Sequence, residues 1–395
     1  MTPAYRASFQ LQQDLRRVRL YVLVAGAVLL AAPVAGAFFS PGDFFHAYLI
    51  GYLFWIGISL GSMAFLMIQY LTGGAWGVVT RRTLEAATRT LPVIAILFIP
   101  IGFGIQYLYP WAQPDQVAQI KTLQHNHGYL NADFFFARAG IYLIVWMVFA
   151  YFLNRWSSDQ DRNPGNQPSR LAKLSAPGLI FYMFSLTFAA IDWAESLQPE
   201  WASTIWGFMF IAAEAITTLG FVILVLTFLS RREPMSNALK PDHFLELGTM
   251  LFAALMLWAY FAFVQYLIVW SENLPSEISY YLPRTGTSWG WLGLCLIVVQ
   301  FAIPAVLLLS RWLKRNAYAL SAVVILVLVM RYMDLIWIVL PGYYKDGFRI
   351  QWMDVLTPLG IGGLWLWAFL RELPRFPLLP WNAPELEEAL AHGSQ

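Results

Sequence analysis

Ten runs of apolar sequence, each close to twenty residues or longer, set the terms for what this chain can fold into. They fall at about 20–39, 46–72, 90–109, 132–154, 175–198, 202–229, 244–270, 287–310, 317–340 and 352–370. A hydrocarbon core about 30 Å thick is crossed by about 20 helical residues, and only helices and closed barrels satisfy their backbone groups there. Runs of this length suit helices and not barrel strands. The sequence therefore predicts an all-α integral membrane protein of ten transmembrane helices. Its composition of 59% hydrophobic and 12% charged residues fits lipid as solvent, since soluble domains carry about 25% charged residues. The gaps between runs leave no room for a soluble catalytic domain.

Lysine and arginine fall unevenly on alternate loops. One side collects Arg6, Arg16, Arg17, Arg19, Arg81, Arg82, Arg89, Arg155, Arg162, Arg170, Lys173, Arg231, Arg232, Lys240, Arg311, Lys314, Arg315, Arg371 and Arg375; the other holds Lys121, Arg284, Lys345 and Arg349. The positive-inside rule then places both termini in the cytoplasm. The basic segment 1–19 precedes an apolar run with no small-residue cleavage site, so that run reads as a retained first helix. A net charge of +2 with no basic block argues against a nucleic-acid partner. The lone Cys295 excludes a disulfide framework or a cysteine-held cluster in this chain and is expected to be plain packing. His125 and His127 form an H-x-H pair without further ligands nearby, so no metal site is expected. His46, Trp111, Trp201, Trp270 and Tyr343 read as interfacial groups.

Three motifs recur in order. Gln106-Tyr107-Leu108 with Trp111 returns as Gln265-Tyr266-Leu267 with Trp270, Arg155-Trp156 as Arg311-Trp312, and Asp192 with Pro199 as Asp334 with Pro341. Each pair keeps its order and membrane side. The pattern predicts two parallel-repeat four-helix bundles from spans 2–5 and 6–9, with two peripheral helices. The expected divisions are 1–45, 46–198, 199–341 and 342–395, with the Pro/Asn/Ser-rich stretch 155–174 as a long cytoplasmic loop.

Ionisable side chains inside a span cost at least a few kcal/mol and mark function or pairing. Asp192 and Glu195 lie three apart on the fifth span, and Arg331 and Asp334 three apart on the ninth, so each couple shares a helix face. Rise per residue puts Arg138, Asp192 and Asp334 about 9–10 Å in from the outer ends. Glu214 sits near the middle of the sixth span, and His243 and Glu246 lie at the cytoplasmic mouth of the seventh. One reading is a proton path loading at Glu246 and His243, crossing at Glu214, and releasing through Asp192, Glu195, Asp334 and Asp133. Ser59, Ser62, Thr217, Thr218 and Thr249 would hold water along it. The competing reading for four of these is structural: Arg138 and Arg331 neutralise Asp192 and Asp334 in buried pairs that join helices.

The ten-span plan, the duplicated bundles and the signature Gly128-Tyr129-Leu130-Asn131 followed by Phe134-Phe135-Phe136-Ala137-Arg138 resemble the polysulfide-reductase NrfD family of quinone-interacting membrane subunits. The resemblance runs essentially end to end and is closest to the smaller such subunit of bacterial alternative complex III. It implies a place in a quinol:electron-acceptor oxidoreductase, with cytochrome c or a cupredoxin as acceptor. The partners it implies are a paralogous NrfD-like subunit, an iron-sulfur protein and a multihaem cytochrome c. Menaquinone is the implied quinone, near Asp192, Arg138 and His127, while haem c and iron-sulfur clusters belong to partners and nothing is held covalently here. Two alternatives stay open: direct quinol oxidation with Asp192 as proton acceptor, and a stand-alone secondary carrier built from the repeat.

Overall fold

The computed structural model describes residues 5–162, 167–380, 382 and 386–391, with the backbone alone at Gln167, Ser276, Glu388, Ala389 and Ala391. The regular secondary structure of these residues is all helical, with no strand. Ten helices among them have spanning length and hydropathy: α1 Phe9–Gly36, α2 Pro41–Thr72, α3 Ala75–Phe103, α4 Ala132–Arg162, α5 Pro168–Leu197, α6 Trp206–Leu229, α7 Pro241–Glu272, α8 Trp289–Leu308, α9 Ala317–Gly342 and α10 Trp352–Arg375. The protein is an all-α, multi-pass membrane protein.

Burial differs widely among helices of similar hydropathy. The apolar windows of α2 and α6 are 89% and 72% buried, against 11% for α1. α2 and α6 form the central seam: α2 also touches α3, α5 and α10, and α6 touches α5, α7 and α9. Small residues set that seam, as they do wherever helices approach without a hydrophobic driving force. A Cβ on Gly57 would stand 3.3 Å from Glu214 Cγ, and one on Gly61 would stand 3.0 Å from the Glu214 carbonyl oxygen. The same device joins α1 to α10, where a Cβ on Gly26 would meet the Gly363 backbone at 2.7 Å. α1 lies along α10 and only lightly on α2, so most of its surface is open.

Several expectations change here. α3 starts at Ala75, well before the apolar run at 90, and breaks into Ala75–Thr88, Leu91–Leu97 and Ile99–Phe103 at Pro92 and Pro100, which remove helix hydrogen bonds. Arg81 and Arg82, assigned to a loop by composition, are buried in this helix. α4 runs on to Arg162 and the next helix begins at Gln167, so most of the stretch 155–174 expected as a loop is helical, and 163–166 lie outside the described residues. Trp111 and Trp201 are buried, and so is His46, which stacks on Tyr343 at 3.5 Å, whereas Trp270 is exposed. Cys295 is on the surface and does not pack inside.

Candidate functional site

The glycines of α2 bring α6 close enough to bury Glu214 between helices. The Tyr182 hydroxyl on α5 donates to Glu214 Oε2 at 2.8 Å. On its other side Glu214 faces a cavity of about 20 Å³ shared with Gly57, Trp193, Thr217 and Arg331, room for about one water. Arg331 in turn pairs with Asp334 one turn along α9. Glu214 therefore does have a cation in reach, although none is near it in sequence. Gln300 is fully buried close to Asp334, within a π-helical stretch of α8, Leu296–Ala302, that precedes Pro304. One π-turn rotates the residues after it, a local irregularity common at functional sites.

The layer around Arg138 is built differently. Arg138 on α4 grips Asp192 on α5 through two bonds, Nε to Oδ2 at 2.8 Å and Nη2 to Oδ1 at 2.9 Å. Tyr142 adds its hydroxyl to Oδ2 at 3.1 Å, and Arg138 Nη1 donates to the Tyr129 carbonyl at 2.9 Å. The guanidinium also lies over the Tyr129 and Phe134 rings at 3.8 and 4.3 Å. Burial first, and the Asp192 carboxylate second, push the Tyr129 hydroxyl above the usual tyrosine range, so it stays a neutral phenol. Asp192 and Arg138 thus join two helices, but Arg331 and Asp334 share one helix, contrary to the expectation that both pairs bridge helices.

The remaining residues scatter. Glu195 is buried and accepts from the Ser203 amide at 2.5 Å, holding the turn between α5 and α6. His243 is fully buried, and its Nδ1 accepts from the Lys240 amide at 3.1 Å, a cap for the first turn of α7. Glu246 is half-buried on the same helix. Thr249 is exposed and accepts from Lys314 Nζ at 3.0 Å. Asp133 and His127 are exposed. Ser59 bonds Thr90 at 2.8 Å and accepts from the Trp365 indole at 2.9 Å, while Thr217 donates to its own helix at the Ala213 carbonyl.

Two buried charged groups were missed by sequence reasoning. Arg82 pairs with both Glu85 and Asp161, Ser157 donates to Glu85, and Arg81 Nη1 donates to Gln160 at 3.2 Å. The signal was present as Arg81-Arg82 with Glu85 three on, had 75–88 been read as helix. Arg284, in the segment before α8, is fully buried, and no carboxylate among the described residues pairs with it. It donates to the carbonyls of Trp337 at 3.1 Å, Ile338 at 2.7 Å and Tyr280 at 2.5 Å, and stacks 3.4 Å over the Tyr280 ring. A cation at the end of α9 meets carbonyls that have no helical partner and the negative end of the helix dipole.

Charged groups thus form three buried layers: Arg82 with Glu85 and Asp161 toward one end, Glu214 with Arg331 and Asp334 in the middle, and Arg138 with Asp192 toward the other. No cluster of histidine, cysteine, aspartate or glutamate among the described residues has the makings of a metal site. Neither protein-family models nor curated proteins give a match to this chain.

Proposed function

We propose that the chain is a membrane subunit of a quinol:electron-acceptor oxidoreductase of the alternative complex III type, and that its own part is to carry protons through the bilayer. The likeness of residues 128–138 to the NrfD family supports the setting. The observation that carries the proton role is Glu214, buried in the middle of the bundle against a water-sized cavity that it shares with Arg331. A carboxyl group there takes up a proton at Oε1 or Oε2 and holds it in place of a water-borne charge, while Tyr182 orients one oxygen. Arg331 lies across the cavity with its charge balanced by Asp334. Protonation of either acid strengthens the claim of the other on the guanidinium, which couples the two carboxylates. The path is a set of buried stations and not an open channel, so protons move between them only as water enters between helices.

In this setting menaquinone, haem c and iron-sulfur clusters act in partner subunits, which include a paralogous NrfD-like protein, an iron-sulfur protein and a multihaem cytochrome c. The residues named for a quinone do not make a pocket for one. Asp192 and Arg138 are spent on each other, His127 is exposed, and the cavity at Glu214 is far below the about 300 Å³ that small-molecule pockets begin at. Direct quinol oxidation by this chain is therefore not part of the proposal. The basic end, with both termini, faces the cytoplasm.

Glu214→Gln in the intact complex, reconstituted into vesicles, tests the role. Electron transfer from quinol should continue while protons moved per electron fall. An unchanged ratio overturns the proposal, and failure of the chain to co-purify with cytochrome and iron-sulfur partners overturns the setting.

A further inference from the structure

The proton reading leaves unused a cleft of about 810 Å³. Its walls are the first turns of α1, the end of α6 with the turn that follows, and the start of α9. It exists because α1 leans on α10 and stands away from α6. Ser8 and Gln10 are among its polar lining residues, and the hydroxyls on its floor spend their protons within the protein. Thr227 donates to the Ile223 carbonyl at 2.8 Å and accepts from Ser321 at 2.9 Å, so both hydroxyls are occupied. Leu11, Leu224 and Phe228 supply apolar surface beside them. Leu224 lies five residues inside the end of α6, about 8 Å by helix rise, so the floor is at the depth where lipid headgroups give way to chains.

The rim carries four charges. Arg232 pairs with Asp14, tying α1 to the turn after α6, and these two cancel. Arg231 is held over the Tyr318 ring, 4.4 Å from its centroid. Glu233 stands two residues away and is exposed. Neither has an ion-pair partner among the described residues. Among the described residues the cleft thus presents one cation and one anion that lack an ion-pair partner, and charged side chains beside spanning helices are a recognised basis for headgroup selection.

We propose that this cleft binds a zwitterionic aminophospholipid, with its phosphate on Arg231, its primary ammonium on Glu233, and an acyl chain running down the seam between α1 and α6. The Arg231 fork suits a phosphate in two-point contact. A phosphatidylglycerol headgroup brings only a neutral glycerol to Glu233 and leaves that carboxylate without a countercharge, and a trimethylammonium headgroup has no N–H to give it. The site needs only that this end of the bundle meets a membrane surface. It is independent of any proton role.

The full-length protein, stripped of lipid and re-equilibrated with phosphatidylethanolamine, phosphatidylcholine or phosphatidylglycerol, is measured for retained lipid by native mass spectrometry. Phosphatidylethanolamine should be retained about tenfold better than either competitor, as one charge-assisted contact provides. Arg231→Gln should abolish the retention and Arg231→Lys should keep part of it. Glu233→Gln should keep binding but lose the preference over phosphatidylglycerol. Equal retention of all three lipids, a preference for phosphatidylglycerol, or undiminished phosphatidylethanolamine on Arg231→Gln overturns the proposal. Both positions face the solvent side of the cleft, and an unchanged melting temperature shows that the variants fold.

Discussion

Removing Arg138 distinguishes a structural charge pair from a wet proton exit. The pair has two near-parallel bonds of 2.8 and 2.9 Å, and its side chains are 8% and 1% exposed for Arg138 and Asp192. Breaking such a buried pair by deleting one partner costs about 3–5 kcal/mol, against about 0–1 kcal/mol for a pair that water reaches. Arg138→Gln leaves Asp192 with only the Tyr142 hydroxyl, so the upper part of that range is expected. Asp192→Asn should cost less, because Arg138 keeps the Tyr129 carbonyl and two aromatic faces, worth about 0.5–2 kcal/mol as cation–π contacts. The double variant Arg138→Met with Asp192→Leu should lie close to wild type, since both desolvation costs vanish together. Reversible unfolding in mixed micelles gives the three values and, as a double-mutant cycle, the coupling. A cost near zero for Arg138→Gln refutes the reasoning, and shows that water already solvates Asp192.

Two further outcomes follow from close packing and from capping. Gly61→Ala should destabilise by about 1–3 kcal/mol, because its Cβ meets Thr218 Oγ1 at 2.2 Å and the Glu214 carbonyl oxygen at 3.0 Å; Gly57→Ala, with its nearest contact at 3.3 Å on a side chain, should cost less, and unfolding of the two variants side by side checks the order. Arg284→Met should lower stability by more than about 3 kcal/mol, since it leaves the carbonyls of Trp337, Ile338 and Tyr280 without their donor, and hydrogen exchange should show the end of α9 opening first.

The spans were legible because lipid imposes one demand on every helix, and run length alone answers it. The start of α3 was not, because residues 75–88 mix Arg81, Arg82, Glu85 and three threonines into apolar sequence and are buried all the same, and hydropathy has no means of marking a charge whose partner comes from another helix. Arg82 meets Asp161 across 79 positions, a contact that spacing does not encode. Glu214 stood out as an acid in an apolar run, but its neighbour Arg331 belongs to α9 and was invisible beside it. His46, Trp111 and Trp201 went astray for a related reason: a residue at a span end is interfacial only if no neighbouring helix covers it.

Asp192 and Asp334 draw their countercharge from different sources. Asp192 borrows its arginine from the adjacent helix, and Asp334 carries its own one turn away. Any rearrangement that parts α4 from α5 strands a carboxylate in oil, and the electrostatic penalty resists that motion. A shear around α9 leaves its own ion pair intact but carries Arg331 past Glu214. Charge therefore locks α4 to α5 by a direct pair and reaches from α9 to α6 only across a cavity.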